Sequence, residues 1–251
     1  DYNDVFQLKT LTVNDASSAS YEYDLDGAVT RASGNGHALD IARDADTGFV
    51  SGTTLGAVAT SYGYSGFGEL TDLSADFQDK TAFSQSLTRD TLGRITAITE
   101  QSGNVARSVS YGYDTLGRLK QIDRDGKTTT FDYDANGNRQ SVTVDDHVTA
   151  PVAFTAAYDA QDRIQTFGDV TFEQTAHGDL LRRTDANGAL ELEYDGLGNL
   201  LSATASSAKA IKKVTYTVDG FGRRVGKQLA GKFSRAWLYQ DALRPAAEVT
   251  D

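Results

Sequence analysis

The sequence predicts an all-β chain: stacked antiparallel β-hairpin repeats forming a curved or spiralling sheet. Three observations carry this. A seven-residue pattern, Tyr-Asp-x-x-Gly-(Arg/Asn)-apolar, recurs along the chain. Its copies stand 20 to 24 residues apart: Gly93, Gly117 and Gly137 in one stretch, Gly178, Gly198 and Gly222 in another. Around each copy, large side chains alternate with small or polar ones, the period of a strand. At roughly 3.3 Å per residue, such a period holds two strands of roughly 6–8 residues and two turns.

The clearest copies are Tyr113-Asp114-Thr115-Leu116-Gly117-Arg118-Leu119 and Tyr194-Asp195-Gly196-Leu197-Gly198-Asn199-Leu200. Two others, around Tyr133, Asp134 and Gly137 and around Tyr23, Asp24 and Gly27, are close to them. Tyr64 to Gly68 keeps the frame, while Asp90 to Gly93 and Asp219 to Gly222 lack the tyrosine. Tyr158-Asp159 is followed by Asp162 where glycine is expected. Gln174 to Leu180 and Asp44 to Val50 are the weakest copies. About ten repeats result, read as a single array over residues 1–251. The chain begins with Asp1, lacks Met and shows no basic-then-apolar leader, so it reads as a fragment of a longer chain.

Each motif position has a physical reason. Asp followed three residues later by Gly suits a type I turn. The carboxylate accepts turn N–H groups, and Gly takes the position where φ > 0 is required. Gly117→Val is therefore expected to cost about 1–3 kcal/mol, and Asp162→Gly to be neutral or stabilising. An aromatic or aliphatic residue usually sits two places before the tyrosine, as in Tyr111/Tyr113, Phe131/Tyr133 and Leu192/Tyr194, on the same strand face. Tyr111, Tyr113, Phe131, Tyr133 and Tyr194 are the expected best-buried members of a ladder. Between motifs, Asp125-Gly126, Asn187-Gly188, Ser102-Gly103-Asn104 and Ala230-Gly231 signal a second, looser class of turn. Residues 201–212 carry Ala at helix-compatible spacing but fill the slot of a strand-turn-strand link.

Composition narrows the function. The formal net charge is −11, with no dense basic cluster, which disfavours nucleic acid and anionic membrane. Cysteine is absent, which excludes disulfides and thiolate chemistry. No apolar run approaches the ~20 residues needed to span a bilayer as a helix. His37, His147 and His177 have no second His at metal spacing and are read as surface or turn residues. Asp132 to Gly137 fits the start of a calcium loop, but Thr143 stands where the bidentate Glu is needed. The recurring aspartates are explained by turns rather than by a catalytic pair, and Trp237 by strand packing. No catalytic, cofactor or metal residue is assigned; the twenty motif residues Tyr23 to Gly222 are assigned structural roles.

With its motif copies in register, the sequence resembles the YD-repeat, or Rhs, family: bacterial polymorphic toxins, the C components of insecticidal toxin complexes, and teneurins. The segment Leu238-Tyr239-Gln240-Asp241-Ala242-Leu243-Arg244-Pro245-Ala246-Ala247-Glu248-Val249 resembles one found late in bacterial Rhs arrays. The resemblance implies a β-shell whose strands spiral around cargo, and a secreted or cell-surface bacterial protein. Its partners would be the remainder of the parent chain and an enclosed toxin domain. The core-closing, self-cleaving region and the toxin of that family are absent here. A surface adhesion or carbohydrate-binding module, with a glycan or cell-surface ligand, is the alternative on the same repeats. An enzyme is the weakest reading.

Overall fold

A computed structural model describes residues 1–13, 17–207 and 210–250. All regular structure among them is strand, 23 in number, and no helix is present. Among the described residues no helix is long and apolar enough to cross a membrane. The chain divides into two compact units, Asp1–Thr130 with Val144–Pro151 and Phe131–Thr143 with Val152–Asp251.

The first unit is built from β1 (Thr10–Val13), β2 (Ser17–Tyr23), β3 (Val29–Gly34), β4 (His37–Arg43), β5 (Val50–Leu55), β6 (Val58–Tyr64), β7 (Leu70–Phe77), β8 (Lys80–Arg89), β9 (Ile95–Ser102), β10 (Val105–Tyr113), β11 (Leu119–Arg124) and most of β12 (Lys127–Tyr133). Each strand pairs antiparallel with the next in sequence. After β13 (Arg139–Asp145), the second unit repeats the meander in β14 (Val152–Tyr158), β15 (Ile164–Phe167), β16 (Val170–Gln174), β17 (Leu180–Asp185), β18 (Gly188–Tyr194), β19 (Leu200–Ser207), β20 (Ala210–Val218), β21 (Arg224–Leu229), β22 (Lys232–Tyr239) and β23 (Pro245–Thr250). Residues 201–207 and 210–212 are strand, and 208–209 lie outside the described residues. Within β1–β11 and within β14–β23 the principal contacts of each strand are with its sequence neighbours, as expected of a repeat array.

In each unit the two edges of the meander carry different turns. On one edge are the motif turns. In the hairpin of β10 and β11, Gly117 N–H bonds the Asp114 carbonyl (3.0 Å) and Asp114 N–H bonds the Arg118 carbonyl (2.9 Å), with Gly117 at φ 81°. This is a three-residue loop on a type I turn closed by a left-handed residue. Beyond it the register slips by one: Tyr113 faces Leu119, but Gly112 faces Gln121. The same slip follows the motif turns of β2–β3, β4–β5, β6–β7, β8–β9 and β18–β19.

The opposite edge differs from the looser turns expected there. Its loops are tighter, with two central residues. Asn35-Gly36, Asp125-Gly126 and Ala230-Gly231 have φ > 0 at both, the signature of a type I′ turn. In the β17–β18 hairpin the central pair is Ala186-Asn187, and Gly188 begins the strand.

Burial also differs from expectation. Among the described residues only Phe131, Val142 and Ser202 are buried. Tyr111, Tyr113, Tyr133 and Tyr194 are half-buried. The pairings form meanders, not two packed layers, so the ladder rings are covered by their neighbours along the sheet rather than by a second sheet.

Candidate functional site

The motif residues assemble into one recurring device. The aspartate organises its own turn. Asp114 Oδ1 accepts from the N–H groups of Leu116 (2.9 Å) and Arg118 (2.8 Å), while Oδ2 accepts from Arg118 Nε (2.7 Å). Asp90 with Arg94, Asp159 with Arg163 and Asp219 with Arg223 repeat this geometry, and Asp134 with Asn138 and Asp195 with Asn199 use an amide instead. Asp24 accepts from Asp26 and Ala28 N–H.

The hydrogen bonds hold the carboxyls of Asp90, Asp114, Asp134, Asp159, Asp195 and Asp219 below the ordinary aspartate value of 3.8. The Arg94 side chain does most at Asp90, Arg223 at Asp219 and Asn199 at Asp195, each against a smaller opposing effect of burial. A pKa depressed by folding gives stability that is present above the unfolded value and lost as pH falls through the folded one. The melting temperature should therefore hold from neutral pH to about pH 5 and fall below about pH 4. A pH series of thermal melts on the wild type and Asp90→Asn checks this; the variant should lose less on acidification.

The tyrosine fastens its repeat to the one before. Tyr113 Oη donates to the carbonyl of Ile95 at 2.7 Å, the residue that follows the Gly93-Arg94 end of the preceding motif turn. Tyr64 reaches Val50, Tyr158 reaches Arg139, Tyr194 reaches Leu180 and Tyr239 reaches Arg224 in the same way, at 2.9–3.1 Å. These carbonyls lie beside the register slip, where the ladder is interrupted. In two repeats that lack the tyrosine another donor takes the bond: Arg89 Nη2 to the Leu70 carbonyl (3.2 Å), and Gln174 Nε2 to that of Ile164.

The glycine serves twice. Besides its left-handed φ, at several turns it lies under a side chain of the preceding turn, although a Cβ on Gly137 or Gly198 would meet nothing within 4 Å. A Cβ on Gly68 would stand 2.9 Å from Phe49, on Gly93 2.6 Å from Glu69, on Gly117 3.4 Å from Arg94 and on Gly222 3.2 Å from Asn199. In every case the neighbour is the residue just after the preceding motif glycine. An arginine there also covers the next tyrosine: Arg94 lies 4.5 Å from the Tyr113 ring centre and Arg223 5.0 Å from that of Tyr239. Gly27, Gly137 and Gly198 likewise have positive φ.

Two details depart from the sequence reading. Asp162 does take the glycine position, at φ 60°, but its Oδ1 accepts from Asn136 Nδ2 (2.9 Å) and Asn138 Nδ2 (2.7 Å) of the preceding motif turn. Asp162→Gly relieves roughly 1 kcal/mol of left-handed strain yet removes two bonds of about 0.5–1.5 kcal/mol each. The expected outcome becomes a small loss of stability, measurable by thermal melts, with Asn138→Ala costing less in the Asp162→Gly background than in the wild type, since only its bond to Asp134 then remains to be lost. The second detail is an overlooked copy at the N-terminus. Tyr2 faces Leu8, Asn3 Oδ1 accepts from Val5 and Gln7 N–H, and Phe6 takes the left-handed position at φ 62°. Tyr23 Oη donates to the Leu8 carbonyl (2.7 Å), and Gln7 lies over Gly27. The 21-residue step from Tyr2 to Tyr23 was the available signal.

The chemistry-bearing residues fall elsewhere. His37 opens β4, His177 sits at a motif-turn tip and His147 in the link after β13; all are exposed. His147 Nε2 lies 3.1 Å from Thr128 Oγ1 and its Nδ1 3.3 Å from Asp145, an arrangement with the outline of a nucleophile, base and acid. Thr128 spends its only proton on Asp123 Oδ1 at 2.6 Å, so His147 is not placed to take it. Asp132 accepts from Ser141 Oγ, and Asp134 is occupied by its turn. Among the described residues no group of three or more His, Cys, Asp or Glu is placed to hold a metal. Trp237 is half-buried on β22.

The family match agrees with this architecture. Residues 1–250 match the family described as Teneurin YD-shell. Human Teneurin-1 is 26% identical over 186 residues, 72% of this chain and 6% of that protein. Double-stranded DNA deaminase toxin A of Burkholderia cenocepacia is 25% identical over 177 residues, 70% of this chain and 10% of the toxin. In the crystal structure of TcdB2-TccC3-TEV, one chain superposes with a TM-score of 0.49 and 13% identity, over 88% of this chain and 15% of that one. The chain thus spans a tenth or less of the length of both named relatives. Recurrent turns fastened one to the next, and a family match over essentially the whole length, lead to one conclusion: the chain belongs to the teneurin YD-shell family.

Proposed function

We propose that the chain is a wall segment of a larger exported shell, without chemistry of its own, whose parent chain surrounds a cargo such as a toxin domain. On this reading residues 1–251 act as one array, and Tyr23, Asp24, Gly27 and their counterparts through Gly222 serve as its fasteners. The observation that carries it is the repeated bond from each motif tyrosine to the preceding turn, Tyr113 to Ile95 being the type case. Such bonds invest the motif in joining repeats, leaving its aspartates satisfied within turns. Kinship with a bacterial toxin supports a toxin as cargo, and the net charge of −11 supports a partner other than nucleic acid. The test is limited proteolysis of the full parent chain. Protection of the region following the array, lost when Tyr64, Tyr113 and Tyr194 are all changed to Ala, is the expected result. A cargo region cut equally fast in both proteins rejects enclosure. Turnover in a glycosidase, esterase and nuclease screen, abolished by one substitution that leaves the melting temperature unchanged, rejects the inert wall.

A further inference from the structure

His147, in the link from β13 to β14, stands at φ 56°. A residue with a side chain is strained in this left-handed region and stays there only where its surroundings hold it. Asp145 holds it twice: Oδ1 accepts from the His147 backbone N–H (2.7 Å), and Oδ2 lies 3.3 Å from ring Nδ1. On the far side of the ring, Nε2 lies 3.1 Å from Thr128 Oγ1 on β12.

Both oxygens that face the ring are acceptors. Asp123 takes bonds from Thr128 Oγ1 (2.6 Å), Gln121 Nε2 (2.8 Å) and Ser110 Oγ (3.3 Å), which hold its carboxyl below the ordinary aspartate value. Thr128 therefore has its proton on Asp123 and offers Nε2 only lone pairs. Asp145 Oδ2 offers Nδ1 the same. A neutral imidazole has one N–H and one lone pair, so either tautomer turns a lone pair against an acceptor oxygen. Only the imidazolium, with two N–H groups, satisfies both partners. The charged groups around it are Asp145 and Asp146 beside it in the chain and Asp123, Arg124, Asp125 and Lys127 on the β11–β12 hairpin. Arg124 pairs with Asp125 at 3.3 Å, and Lys127 acts on Asp146, which leaves Asp123 and Asp145 for the ring.

We infer that His147 is an acid-closed clasp: protonation of its ring fastens the link after Asp145 onto Thr128 of the β11–β12 hairpin, and deprotonation releases it. The sign follows from the bonds. The clasped form holds a proton that the released form gives up, so its stability is present at low pH and lost as pH rises through the imidazole range, between about pH 5 and pH 8. The device goes beyond the wall reading and does not depend on it.

Hydrogen exchange on the 251-residue chain reads the clasp locally, because a link opens while the sheet stays folded. The reporters are the amides of His147, Val148 and Thr149, which bond Asp145 and Asp146. Corrected for intrinsic rates, their protection should be about three- to tenfold higher at about pH 5.5 than at about pH 8. His147→Gln, which cannot titrate, should give equal protection at the two values. Thr128→Val, which removes the oxygen facing Nε2, should shrink the difference. Amides beside His37 and His177 serve as internal controls for imidazoles outside the clasp. Equal protection of the wild-type link at both values overturns the inference. A difference that survives His147→Gln, or one that is undiminished in Thr128→Val, overturns it as well. None of these results bears on cargo protection, which tests the wall reading separately.

Discussion

Gly188→Ala should be the most damaging single-methyl change in the chain, costing roughly 3–5 kcal/mol. Gly188 begins β18 at φ 138°, a region closed to ordinary L-residues, and a Cβ there would stand 1.9 Å from the Ser206 carbonyl oxygen. The obstacle is backbone, and its carbon and the Ser207 Cα are each 2.9 Å away, so no side-chain rotation relieves it. The Gly188–Ser207 and Ala189–Ser206 pairs must separate. Gly198→Ala is the control: φ is 84° but nothing lies within 4 Å of the added atom. It should cost only about 1–2 kcal/mol. Chemical denaturation gives the two values, and hydrogen exchange should locate the Gly188→Ala damage at the ends of β18 and β19. Equal losses at the two sites would show that the close approach relaxes freely.

The second large effect is expected at Tyr113. Removal of its hydroxyl in Tyr113→Phe leaves the Ile95 carbonyl without that donor and should cost about 1–2 kcal/mol. Tyr113→Ala also removes a half-buried ring and the surface on which Arg94 rests, for a total of about 2–4 kcal/mol. That is below the 3–5 kcal/mol typical of a fully buried ring. Tyr113→Arg should recover part of the loss, because Arg89 already makes the equivalent bond one repeat earlier. Melts of the three variants decide the matter. If Tyr113→Phe matches the wild type, the ring alone holds the repeats together and the hydroxyl bond contributes nothing.

The hairpins and their motif turns were legible in the sequence because both are local. Asp114 and Gly117 act within four residues of each other, and their spacing reports the turn directly. The left-handed position of Asp162 was readable for the same reason. Its bonds to Asn136 and Asn138 were not, since those residues are 26 and 24 positions away and carry no pattern of their own. The same holds for the tyrosine hydroxyl: its acceptor is a backbone carbonyl, and every residue has one. Tyr2 to Leu8 escaped notice because Asn3 and Phe6 replace the two most diagnostic residues, although both meet the same geometric need. Burial was overestimated because large alternating residues mark a strand face without saying what lies above it. Val142 and Phe131 are covered; Tyr113 on the same kind of face is only half so.

The fasteners all point one way along the chain. Tyr23, Tyr64, Tyr113, Tyr158, Tyr194 and Tyr239 reach toward the N-terminus, and Gly27, Gly68, Gly93, Gly117 and Gly222 receive a side chain from that same direction. A hairpin leaving a ribosome or an export channel therefore finds its acceptor carbonyl and its covering side chain already in place, and needs nothing that has yet to emerge. That polarity suits vectorial growth of the array, with each unit templating its successor. The same polarity makes the two-strand unit modular. Duplication or loss of one whole hairpin pair keeps the same kind of junction on both sides, so arrays of different length can be built from one repeat.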